Sequence, residues 1–140
     1  MVSSRSVFAA VCVAAAGVFG ASGVAAARRF LDLAERPTAM FCSSDTMACG
    51  FMSELHRNGV GVPDDVSVVG FDDIELSEHF IPSLTTVRQP REAIGETAAD
   101  MLLGLIRAQQ GEEHTTDDAR QGRVLPIELV VRGSTAAPSR

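Results

Sequence analysis

Two adjacent carboxylates, Asp72 and Asp73, follow an apolar run that ends in Gly70-Phe71. Ser43, Ser44 and Asp45 follow a second run that ends at Cys42, and Arg88 and Gln89 follow a third, Thr85 to Val87. A carboxylate beside hydroxyls and an amide suits hydrogen bonding to a sugar or another small polyhydroxy or heterocyclic ligand, because donors and acceptors are both on offer. Asp after a strand is also ordinary turn chemistry, so residue types alone leave both roles open.

Other chemistries are poorly served. The chain has no Gly-x-Ser-x-Gly elbow, no His-Glu-x-x-His, no phosphate loop and no Gly-x-Gly-x-x-Gly. Asp72 and Asp73 are neighbours in sequence, so their side chains diverge if strand geometry persists, which is poor for paired acid and base work. His56, His79 and His114 each fall in a polar, surface-type context. No enzyme activity is expected, and no cofactor. Cys12, Cys42 and Cys49 are odd in number and lack Cys-x-x-Cys spacing, so they read as small buried apolar residues rather than a disulfide framework or a metal site.

The elements that must position the polar groups are legible. Thr38 to Cys42 and Val66 to Phe71 read as buried strands, with a helix-period segment between them. Two strands joined by a helix make a βαβ unit, so they should be parallel in one sheet. Either Ser44 or Asp45 can cap the helix, and Asn58-Gly59 suits its left-handed end. Ala48, Phe51, Met52 and Leu55 would face the sheet, with Glu54, His56 and Arg57 toward water. In open parallel sheets ligands bind outside the carboxyl ends of strands, which is where the polar clusters fall.

Three stretches carry a resemblance. PTAMFCSSDTMACG (37–50), GVPDDVSVVGFDD (61–73) and PSLTTVRQP (82–90) resemble, in order and spacing, the carboxyl-terminal half of the effector-binding core of the lactose-repressor and galactose-repressor family of bacterial transcription regulators. The resemblance covers roughly Gly17 to the end. It implies an α/β, periplasmic-binding-protein-like fold of parallel βαβ layers, incomplete, with the second subdomain largely missing. It implicates Asp72 as the main polar ligand contact, Ser44 as a second, Gln89 as a hinge-side contact and Asp45 as the helix cap near the cleft. By the same resemblance Phe80 and Cys49 lie at a homodimer interface, the small-molecule effector is a carbohydrate or similar, and DNA is reached only through a helix-turn-helix domain not present in this chain. Val18 stands where many relatives have an aromatic ring over the ligand.

The implied organisation is a non-matching apolar segment at 1–16, an effector-binding subdomain at 17–90, a helix and strand at 91–131 that would complete the other subdomain, and a flexible tail at 132–140. The formal net charge of -6 argues against these residues gripping nucleic acid, since phosphate neutralisation needs a basic face. Absence of Trp and Tyr removes the usual stacking platforms. The cysteine pattern points to a reducing compartment, hence the cytoplasm. One stretch disputes this: Arg5 followed by VFAAVCVAAAGVFG (7–20) has the pattern of a secretory signal, which would make residues 1–27 a signal peptide and the chain an exported binding protein of the same fold. A mis-started or truncated frame, or a non-functional remnant, are the other accounts. The apolar run is too short to span a membrane comfortably.

For the remainder, Gly23 to Ala34 reads as a helix with Ala26, Phe30 and Leu33 on one face. Asp73 to Ser83 reads as an exposed crossover, and Arg91 to about Gln109 as a helix with an apolar stripe of Ile94, Ala98, Met101, Leu102 and Leu105. GEEHTTDDARQG (111–122) is a polar loop. Val124 to Val131 reads as a last strand and Gly133 to Arg140 as a loose tail.

Overall fold

The structure is a computed structural model that describes residues 9–12, 19–110 and 122–137. The described chain runs β1 (Ala9–Cys12), α1 (Phe19–Leu31), β2 (Ala39–Cys42), α2 (Asp45–Arg57), β3 (Ser67–Asp72), a 3-10 turn at Glu75–His79, β4 (Thr85–Arg88), α3 (Arg91–Gln109) and β5 (Glu128–Val130). Among the described residues one sheet carries the strands in the order β1-β2-β3-β4-β5. The first four are parallel, in the registers Ala39↔Ser67 and Val69↔Thr85, while β5 is antiparallel to β4. The fold is α/β with a mostly parallel sheet. No described helix is long and apolar enough to cross a membrane.

The residues up to Arg88, with those from Glu128 onward, make one compact unit, and 89–127 make a second. In the first, alternation along the strands turns Met40, Cys42, Val68 and Gly70 inward against α2 and α1. Phe51, Leu55, Val66 and Leu84 are fully buried there, and Phe30 of α1 meets Phe51 of α2 edge to face at 5.6 Å.

Helix α1 starts four residues before the expected Gly23 and ends three before the expected Ala34. Its glycines are packing residues rather than loop residues. A Cβ on Gly23 would run into the backbone of Met47 and Phe51, and one on Gly50 into the backbone of Gly20, so α1 and α2 approach closely only because side chains are absent there. The buried face is Gly23, Ala27 and Phe30, while Leu33, expected inside, lies past the helix end and is exposed. Glu54 also departs from expectation. It is buried on α2 between Arg28 (2.9 Å) and Arg57 (3.2 Å), an ion pair that joins the two helices. The hydrogen bond from Arg28 chiefly holds its carboxyl below the ordinary value; burial opposes this and Arg57 assists. Helix α2 ends as anticipated at Asn58, with Gly59 left-handed at φ 73°.

Cys42 is buried, but Cys49 is exposed on α2, contrary to the expectation that the cysteines are all internal. The side chain of Cys12 lies outside the described residues. The final strand is shorter than expected, and Val124 and Ile127 ahead of it are exposed.

The segment expected to be a loose tail is pinned. Ser134 is fully buried: its Oγ donates to the Val68 carbonyl (2.6 Å) and accepts from the Thr85 amide (2.8 Å), while its own carbonyl accepts from the Val68 amide (2.8 Å). Thr135 bonds Thr85, and Ala136 exchanges two hydrogen bonds with the Ser67 hydroxyl. The chain past β5 thus meets donors and acceptors at the start of β3 and β4 that would otherwise be stranded. Residues 138–140 lie outside the described part.

In the second unit α3 has the expected bounds. Ile94, Leu102, Leu103 and Ile106 are exposed along it, and Met101 and Leu105 are half-buried. The polar loop 111–121, with His114, is outside the described residues.

Candidate functional site at the carboxyl ends of the strands

The parallel order of β2, β3 and β4 delivers the residues that follow them to one edge of the sheet. Behind β2, Ser43 is exposed and Ser44 is the N-cap of α2, with extended backbone and its Oγ accepting from the Met47 amide at 3.2 Å. The cap is therefore Ser44, and the assignment of Asp45 to that role is corrected.

Asp45 does something else. Its carboxylate is fully buried and turned inward, where Oδ2 accepts from the Ile74 amide (2.9 Å) and the Ser77 hydroxyl (2.5 Å), and Oδ1 accepts from the Thr86 hydroxyl (2.5 Å). A buried carboxylate is tolerated only when its lone pairs are met, and here three donors from separate segments meet them. Gly70 makes the room: a Cβ at that position would overlap Asp45 Oδ1 and Leu84.

Behind β3, Asp72 and Asp73 both have left-handed φ, 113° and 51°. Left-handed backbone is uncommon for residues other than Gly, Asn and Asp. Asp72 is half-buried and pairs in register with Arg88. Asp73 is gripped by two arginines, Arg88 Nε at 2.6 Å and Arg132 Nη2 at 2.7 Å. Burial alone would raise its carboxyl, but the hydrogen bonds and charges of Arg88 and Arg132 outweigh that and hold it below the ordinary value. Arg88 is raised in turn by Asp73, with a smaller contribution from Glu128 at 3.3 Å. Asp73 is thus occupied in fastening the turn, and Asp72 is the member of the pair at the sheet edge.

Gln89 is half-buried and opens the second unit, its carbonyl accepting from the Arg91 amide. His56 and His79 are exposed, the latter 3.4 Å from Glu78. Phe80 is half-buried against the core, and Cys49 faces outward from α2. Among the described residues no group of three or more His, Cys, Asp or Glu is placed to hold a metal ion. The site's inner scaffold, Ser77 and Thr86 on Asp45 and Arg132 on Asp73, was not evident in the sequence; Gly70 inside a buried strand was the one local signal of a close approach.

Residues 4–135 match the periplasmic binding protein-like domain. The chain belongs to this family. Within the matched range β1 pairs with β2. Similar proteins include the HTH-type transcriptional repressor PurR of Vibrio parahaemolyticus, 48% identical over 113 residues (81% of this chain, 32% of the relative), and the HTH-type transcriptional repressor CytR of Escherichia coli, 42% identical over 116 residues (83% and 32%). Among solved structures, the lac repressor dimer bound to operator and the anti-inducer ONPF is 38% identical with a TM-score of 0.69, covering 83% of this chain and 38% of that one. The regulator CelR in complex with cellobiose is 40% identical with a TM-score of 0.72, covering 82% and 33%. This member of the periplasmic binding protein-like family resembles the effector-binding domain of LacI/GalR-type regulators, and it spans about a third of the length of the curated relatives it matches.

Proposed function

We propose that this chain is the effector-sensing part of a LacI/GalR-type transcription regulator, and that it binds a small molecule, a carbohydrate or similar, at the carboxyl ends of β2, β3 and β4. The observation that carries the reading is the Asp72-Asp73 turn. Two successive left-handed residues with Asp73 locked by two arginines leave Asp72 at the edge where such folds take ligands. Asp72 is the main polar contact, Ser44 the second and Gln89 the hinge-side one. Phe80 and Cys49 belong to a homodimer interface. The protein is a cytoplasmic binding module rather than an enzyme, and operator DNA is met by residues other than these, whose net charge is -6.

Thermal unfolding with cellobiose and with ONPF, each titrated separately, tests the reading. A ligand at 100 times its Kd stabilises by about 2.7 kcal/mol, a readable rise in Tm. Asp72→Gly, which removes the carboxylate while tolerating φ 113°, should fold normally and lose that rise; an Asp72→Gly protein that responds like the parent refutes the assignment.

A further inference from the structure

Asp45 stands where the segments that carry Ser44 and Asp72 meet β4. It follows Ser44 directly in sequence. The amide it holds, Ile74, lies two residues beyond Asp72, and the hydroxyl of Thr86 lies two residues before Arg88 on the strand paired with β3. Ser77, its third donor, is the buried residue of the 3-10 turn that leads away from Asp73. One internal carboxylate therefore ties the ends of β2 and β3 to the body of β4, beneath the rim and out of reach of any ligand.

We propose that Asp45 is a positioning residue for the ligand site: it holds Ile74 and so keeps Asp72 at φ 113°, a conformation the backbone does not favour by itself. The inference rests on the ligand reading above, since Asp72 is what Asp45 positions. The asymmetry of its donors makes a specific prediction about the conservative variant. The Ile74 amide on Oδ2 can only donate and needs an acceptor, whereas Ser77 and Thr86 present hydroxyls that can rotate to donate or accept. Asparagine with its oxygen in the Oδ2 position keeps the first two bonds, and its amide donates to Thr86 in place of accepting. The negative charge is then dispensable and the acceptor on the Oδ2 side is not.

The test uses the full chain without ligand, so its outcome is independent of whether cellobiose or ONPF binds. The three-bond amide-to-Hα coupling of Asp72 reports its φ, and hydrogen exchange at the Ile74 amide reports the bond to Asp45. In Asp45→Ala the Asp72 coupling should rise as φ relaxes to extended values, and Ile74 exchange should speed by about tenfold beyond any global change. Asp45→Asn should keep both near the parent. Val68→Ala, which weakens the core without touching the network, should leave the Asp72 coupling unchanged. If Asp45→Ala fails to fold, Asp45→Leu, which fills more of the same space but offers Ile74 no acceptor, takes its place, with the same expected shifts. An Asp72 coupling unchanged in the network variants, or moved equally by Val68→Ala, overturns the proposal.

Discussion

Arg132 Nη2 lies 2.7 Å from Asp73 Oδ1, and Nη1 of the same side chain lies 2.9 Å from the Leu84 carbonyl. The segment after β5 is thereby fastened to the turn that presents Asp72. Arg132 is largely buried, at 15% side-chain exposure, against 49% for Arg88 on the same carboxylate. Charge-assisted bonds shielded from water are worth more than exposed ones, so the two arginines should differ in weight.

Arg132→Ala should cost about 1.5–3 kcal/mol of stability, because it strips a buried acceptor of a charged donor. Arg88→Ala should cost clearly less, as expected for a solvent-exposed member of an ion pair. Urea denaturation of the two variants beside the parent decides the order; Arg88→Ala as the more damaging change would contradict it.

The acid limb of stability follows from Asp73 and Glu54. Both have folded-state values below their ordinary 3.8 and 4.5, so each contributes stability that is fully present above those values and is lost as the pH falls through the folded ones. Unfolding midpoints should be flat from neutral pH down to about 5 and fall below about 4 on this account. Arg132→Gln and Arg28→Gln should each flatten that fall. Arg88, raised and charged in both states throughout this window, adds no slope of its own.

Ser134→Ala should destabilise by about 1–3 kcal/mol, since it leaves the Thr85 amide and the Val68 carbonyl without the hydroxyl each uses inside the protein. A Tm series on the variant and the parent makes the comparison.

Three glycines should answer differently to alanine. Gly23→Ala and Gly70→Ala put a methyl group into backbone or buried side-chain atoms, an overpacking worth roughly 1–3 kcal/mol of destabilisation. Gly20→Ala meets nothing within 4 Å and should be neutral or gain up to about 1 kcal/mol from helix propensity. Circular-dichroism melts of the three variants are sufficient.

The parallel core β2-α2-β3-β4 was legible because period-2 and period-3.6 patterns there are bounded by strong end signals, Ser44 and Asn58-Gly59 at α2 and Pro90 before α3. Which of Ser44 and Asp45 caps α2 was not, because both residue types can do it and the choice is made by Thr86 and Ser77, distant in sequence. Glu54 read as a solvent residue from its type and was buried by Arg28 on another helix. The tail read as loose because no short-range pattern marks Ser134, whose partners Val68 and Thr85 are recognisable only once β3 and β4 are paired. The rim residues Ser44, Asp72 and Arg88 were readable as strand-end groups; what holds them in place was a matter of tertiary contact throughout.

Arg88 and Glu128 face each other as register partners on β4 and β5, and they are also the residues at which the chain leaves the first unit and re-enters it. Partners in an antiparallel pair have Cα atoms about 4.5–5.5 Å apart, a gap that a two-residue Asn-Gly loop closes without disturbing either strand. Residues 89–127 could accordingly be excised and the two strands spliced into a hairpin, giving a shorter protein that keeps Asp45, Asp72, Asp73 and Arg132 together and omits the exposed apolar residues of α3.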